Sequence, residues 1–121
     1  MTRTGGCHCG AVRYSVEIED LGKPIACNCS RCQKLGALLV FAPRAAFRLD
    51  KGEDRLTDYR FASGRIAHLF CKDCGIESFA YGSTPDGTEM AAINVNCLDA
   101  DCLDGLEPRR METTFHDGRS A

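Results

Sequence analysis

The 121-residue chain predicts a mainly β fold in a single domain spanning residues 1–121, and three observations carry that expectation. Short segments of alternating apolar and polar residues recur, divided by glycine, proline and acidic turns. No stretch sustains a helical period beyond one or two turns. Seven of the nine cysteines fall into three clusters, Cys7-His8-Cys9, Cys27-Asn28-Cys29-Ser30-Arg31-Cys32 and Cys71-Lys72-Asp73-Cys74, whose spacing suits metal sites that staple short strands together.

The clearest strand covers 11–18, where Val12, Tyr14, Val16 and Ile18 share one face and Arg13, Ser15 and Glu17 the other. Within the central cysteine cluster, 30–35 has room for one or two helical turns, with Ser30 as a cap and Gly36 as a stop. Strands are expected at 38–42, 46–50, 56–62, 66–71, 78–81 and 90–97, divided by turns at Lys51-Gly52, Ser63-Gly64 and Ser83-Thr84-Pro85-Asp86-Gly87. Beyond Leu98 the chain turns polar and turn-rich, with one closing strand expected at 111–115.

The net charge is −2, and basic residues are interspersed with acids as in Asp50-Lys51-Gly52-Glu53-Asp54-Arg55. Nucleic acid is therefore not the expected partner, because phosphate binding needs a concentrated positive surface. The longest apolar run, 37–42, is far short of the ~20 residues of a spanning helix, so no membrane partner is expected. An odd number of cysteines and a polar N-terminus point to a reducing, cytoplasmic setting with thiolates on metal.

A structural zinc is closed by four ligands, whereas a catalytic zinc keeps three and an open position. Cys27, Cys29 and Cys32 offer three sulfurs locally and take one ion; the outer pairs, Cys7 with Cys9 and Cys71 with Cys74, supply a closed four-thiolate site. Two Zn2+ per chain follow. Gly75 and Gly10, directly after a cysteine, suit the left-handed turn of a knuckle. Further ligand candidates are Cys97, Cys102, His8, His68 and His116. Cys97 continues the face of Ile93 and Val95 and is expected in the core, Cys102 is expected half-exposed, and the histidines are expected behind the ligands or at the surface.

The motifs Gly5-Gly6-Cys7-His8-Cys9-Gly10-Ala11-Val12-Arg13-Tyr14, Cys27-Asn28-Cys29-Ser30-Arg31-Cys32-Gln33-Lys34 and Phe70-Cys71-Lys72-Asp73-Cys74-Gly75 resemble those of the glutathione-dependent formaldehyde-activating enzyme family, also called the CENP-V/GFA domain. The similarity runs from about Gly5 to Gly118 and includes Ile93-Asn94-Val95-Asn96-Cys97-Leu98-Asp99 and His116-Asp117-Gly118-Arg119. It implies an Mss4-like β-tent fold, a structural zinc on Cys7, Cys9, Cys71 and Cys74, and a catalytic zinc on Cys27, Cys29 and Cys32. The activity it implies is that of a carbon-sulfur lyase that joins glutathione, as co-substrate, to formaldehyde as S-hydroxymethylglutathione. Asn28 stands where many members carry histidine, which bears on substrate choice.

Three thiolates make a zinc ion a weak Lewis acid, so thiol chemistry is a better use of the open position than hydrolysis. The partners expected are a small-molecule thiol and an aldehyde. Arg31, Lys34 or Arg65 could receive glutathione carboxylates, and Tyr81, Asp86 and Glu89 could line the cleft. The alternative is a zinc-stabilised, Mss4-like binding module without catalysis; a third reading is a redox-responsive thiol protein. Physiological substrate and oligomeric state stay open at this level.

Overall fold

The computed structural model describes residues 1–119. Strands dominate it, as expected, and form two sheets. The smaller contains β1 (Thr2–Gly6), β2 (Arg13–Glu17) and β5 (Phe47–Lys51) in the order β1-β2-β5. The larger has the order β10-β3-β4-β9-β8-β7-β6, built from β3 (Ile25–Cys27), β4 (Leu39–Pro43), β6 (Leu56–Tyr59), β7 (Ala67–Cys71), β8 (Phe79–Ser83), β9 (Glu89–Asn94) and β10 (Thr114–His116). One helix, α1 (Ser30–Leu35), follows β3. Neighbouring strands are antiparallel except β10, which runs parallel to β3 and pairs His116 with Cys27.

Alternation explains which faces meet. Tyr14 and Val16 of β2 and Phe47 of β5 are buried against Phe79, Ala91 and Ile93 of the larger sheet. The Tyr14, Phe47 and Phe79 rings lie 4.8 to 5.7 Å apart, and Tyr81 extends the group, so aromatic packing fills the space between sheets. On the other face of the larger sheet, one row of directly paired residues runs Phe41, Ala92, Ala80, His68, Tyr59.

Two strands lie outside the sequence expectation. β1 has no apolar alternation because its inward residues are Arg3 and Gly5; β3 is only three residues long. Arg3 is fully buried, yet its guanidinium is saturated. Nε donates to Ile18 O, Nη1 to Cys102 O and Asp104 Oδ1, and Nη2 to Glu19 O and Asp104 Oδ2, at 2.7 to 3.1 Å. A charge buried without water is tolerated when its hydrogen-bonding capacity is filled in this way.

Other expectations need correction. The strand placed at 90–97 stops at Asn94, whose side chain accepts the Asn96 N–H at 3.2 Å and turns Val95–Cys97 into a 3-10 turn. Cys97 is therefore half-buried beside a cleft, and not a core residue continuing the Ile93 face. Cys102 is buried, not half-exposed, and its sulfur lies 3.4 Å from the Thr4 N–H. Helix α1 is capped by Cys29, whose sulfur accepts the Cys32 N–H, and not by Ser30. Gly36 does end it, at φ 70°. The strand expected at 111–115 forms at Thr114–His116. Among the described residues no helix is long and apolar enough to cross a membrane.

Arg3→Ala is expected to cost about 3 to 5 kcal/mol, measured by urea unfolding, because it strands the groups that the guanidinium satisfies. Arg3 also holds the Asp104 carboxyl below its ordinary range. The contribution of that pair is complete above the unfolded-state carboxylate pKa, near ~4, and is lost as pH falls through the lower folded-state value; Asp104→Asn should remove this acid dependence.

Candidate metal centres

Cys7 follows the last residue of β1, Cys9 lies in the turn to β2, Cys71 ends β7 and Cys74 stands in the turn after it. Their four sulfurs lie within 4.8 Å of one another. The Cys7–Cys9 and Cys9–Cys71 sulfur pairs are each 3.7 Å apart. A disulfide needs about 2.0 Å. Four sulfurs at ~2.3 Å from a tetrahedral zinc stand about 3.8 Å from one another, so the spacing fits that ion. Gly10 and Gly75 adopt φ 84° and 80°, as their places after cysteine require, and the Val12 N–H points at the Cys7 sulfur from 3.3 Å.

Crowding governs ionisation in this group. The Ala11 N–H favours charge on Cys9, but burial and the Cys7, Cys71 and Cys74 sulfurs push its thiol up to about 11. Cys74 is opposed by burial, yet the Ile76 and Cys9 N–H groups help draw it down to about 6. The first proton leaves easily and the last is retained, a pattern that a divalent cation reverses.

The second group comprises Cys27 at the end of β3, Cys29 at the helix cap and Cys32 in the first turn of α1, also with all sulfurs within 4.8 Å. The Cys29 N–H lies 3.4 Å from the Cys27 sulfur, and the Cys32 N–H 3.3 Å from that of Cys29. Burial and the neighbouring sulfurs raise the Cys32 thiol; Cys29, opposed by burial, is lowered by the Cys32 N–H and the adjoining thiols. Among the described residues, no fourth histidine, cysteine or carboxylate joins the trio. Both clusters can hold metal ions, and their donor sets are compatible with zinc.

The C-terminal segment closes over the trio. Asn28 N–H donates to His116 O at 3.2 Å, and Asn28 Oδ1 accepts from Gly118 N–H at 2.8 Å and Arg119 N–H at 3.3 Å. Arg119 reaches back, Nε to Asn28 O and Nη2 to Gln33 Oε1, both at 2.6 Å. A Cβ on Gly118 would lie 2.7 Å from the Cys27 sulfur and 3.0 Å from Cys29 Cβ, so the backbone rests directly on the cysteines.

The family model of the glutathione-dependent formaldehyde-activating enzyme matches residues 2–116. The chain belongs to that family. A crystal structure of a Rhodobacter sphaeroides protein is similar, with 31% identity and a TM-score of 0.76 over 93% of this chain and 99% of that one.

In this member of the formaldehyde-activating family, the remaining candidates scatter. Arg31 is not free to receive a substrate carboxylate: it is paired with buried Glu77 at 2.6 Å. Lys34 lies in the last turn of α1, exposed, and Arg65 lies, exposed, beyond the end of β6. His8 and His116 are exposed; His68 is buried, with Nδ1 3.5 Å from Glu77 Oε2. Tyr81 packs in the aromatic group under Arg44, Asp86 binds within its own turn and Glu89 is exposed at the start of β9, and none of the three lines the cleft beside the four-cysteine centre. That cleft, about 460 Å3, lies beside the four-cysteine centre and is lined by Cys7, His8, Glu77, Asn94, Cys97 and Asp99 among others. Burial raises the Cys97 thiol to about 12, so it faces the cleft as a neutral thiol.

Sequence reasoning missed Glu77 and the contact made by Gly118. Glu77 has no motif spacing of its own; Gly118 stands within the family-like His116-Asp117-Gly118-Arg119 run, but only the fold places it on the trio. Gly118→Ala is expected to lift the strap from Cys27 and Cys29. Hydrogen exchange should accelerate at the Gly118 and Arg119 amides while the β8 and β9 amides keep their protection.

Proposed function

We propose that the chain joins glutathione to a small aldehyde, of the S-hydroxymethylglutathione synthase type, with the trio of Cys27, Cys29 and Cys32 as its catalytic zinc centre. The observation that carries this reading is a three-sulfur cluster that no fourth histidine, cysteine or carboxylate joins among the described residues, in a chain that also gathers four sulfurs elsewhere. The sulfurs of Cys27, Cys29 and Cys32 would hold the zinc ion, which would supply the means of keeping an incoming thiol as thiolate near neutral pH. In the net reaction, the thiol sulfur would bond to the aldehyde carbon and the carbonyl oxygen would take up the proton that the thiol gives.

The chain's own residues supply the binding surface. Cys7, Cys9, Cys71 and Cys74 hold the second, structural zinc and tie the small sheet to β7. With Arg31 engaged by Glu77, exposed Lys34 in the last turn of α1 is the group proposed for a glutathione carboxylate, and Arg119, exposed although bonded to Asn28 O and Gln33 Oε1, is a second. Asn28 contributes by holding the 116–119 strap, which forms one wall. Nine cysteines, none of them in a disulfide, suit a reducing, cytoplasmic compartment.

Native mass spectrometry tests the assignment. Two zinc ions per chain are expected, falling to one in Cys29→Ala with the fold kept, whereas Cys74→Ala should cost the fold, since closed zinc sites contribute about 10 to 16 kcal/mol in zinc-finger peptides. With cobalt in place of zinc, glutathione should change the visible spectrum of the trio. Two ions and no spectral response would return the alternative, a binding module with both ions structural.

A further inference from the structure

Arg31 stands inside the trio's loop, between Cys29 and Cys32, but its side chain is held from outside that loop. Its Nε and Nη2 donate to Glu77 Oε1 at 3.1 and 2.6 Å, and its guanidinium carbon lies 4.7 Å from the centre of the Tyr59 ring. Glu77 belongs to the other centre. It follows Cys74 by three residues, in the turn where the Cys71 N–H donates to Ile76 O at 3.0 Å.

The anchor is rigid. Glu77 is 6% exposed, its carbonyl accepts from Asn94 Nδ2 at 3.2 Å, and its second oxygen faces His68 Nδ1. His68 stacks on Phe61 at 5.2 Å, and Phe61 on Tyr59 at 6.0 Å. Arg31, Glu77, His68, Phe61 and Tyr59 therefore form a closed ring of contacts, and only Arg31 comes from the trio. Helix α1, by contrast, has six residues and buries none of them, too short to hold its own conformation. The spacing of Cys29 and Cys32 must be stabilised by something beyond the helix.

We propose that Glu77 is a positioning residue for the three-cysteine centre: acting through Arg31, it fixes the trio's loop against the turn of the four-cysteine centre and so sets the trio's metal affinity. The proposal rests on the reading of both clusters as zinc sites. A loop already ordered spends less of the binding energy on gathering three sulfurs, and loss of groups that orient metal ligands typically weakens affinity by about 10- to 100-fold. Arg31 suits the task because its planar fork can engage a carboxylate edge while its face lies on an aromatic ring.

Zinc competition against a chromophoric chelator tests this on the whole chain, with Cys29→Ala reporting the four-cysteine site alone. Glu77→Gln and Arg31→Ala should each weaken zinc at the trio by about 10- to 100-fold, with the other ion retained. The double variant Arg31→Met/Glu77→Gln should be no worse than either single change, as expected for one shared interaction. It also avoids leaving a buried carboxylate unpaired, which keeps the test open if Arg31→Ala fails to fold. Arg31→Lys, which keeps the charge but loses the fork, should fall between wild type and Arg31→Ala. A purely structural role would lower the unfolding midpoint and leave the trio's affinity within twofold of wild type; that result overturns the positioning role while the zinc assignment stands. A wild-type chain that takes up one zinc overturns the assignment of the trio, and the positioning role with it.

Discussion

Four sulfurs within 4.8 Å of one another are the constraint on which the arrangement depends. They join the β1–β2 hairpin of the small sheet to the end of β7 in the large one, across 62 residues of sequence between Cys9 and Cys71. Thiolates at that distance repel one another, and the N–H groups of Val12 and Ile76 offset only part of the repulsion. A cation among them would make the junction cohesive and would couple folding to metal loading. The rest of the interface between the sheets is held by different chemistry: aromatic rings of Tyr14, Phe47 and Phe79 in the middle, and the saturated guanidinium of Arg3 gathering Ile18, Glu19, Cys102 and Asp104.

The trio is built on a different principle. Its elements are a three-residue strand, a six-residue helix and an exposed three-residue strand, none of which buries enough surface to be stable alone. Order reaches it from two sides. The strap pinned by Asn28 lays Gly118 on Cys27, and the Arg31–Glu77 pair ties the loop to the turn after Cys74. One centre thus staples sheets together while the other is suspended between parts already in place. Under the proposed function, such a division would leave the suspended centre free to exchange a ligand without unfolding the chain.

Asn28 illustrates how one side chain acts through structure. Its side-chain carbonyl accepts two backbone N–H groups of the strap. The residue touches no ligand position itself, but it decides how the C-terminal segment lies over the sulfurs and where the Arg119 guanidinium is carried.

Cysteine spacing by itself announced one local trio and two local pairs, because residues two or three apart lie near one another; that the pairs meet across 62 residues was decided by the fold. Alternation likewise placed the inward residues of β2, and the glycines after Cys9 and Cys74 announced their left-handed turns. Tertiary structure alone decided the rest. β1 was hidden because an arginine fills the inward position where an apolar residue would have signalled a strand, and the end of β9 was hidden because one asparagine side chain bends the backbone. The meeting of Arg31 with Glu77, and of Gly118 with Cys27, depends on which strands lie side by side, information that long-range pairing supplies and that no local pattern of residue types contains.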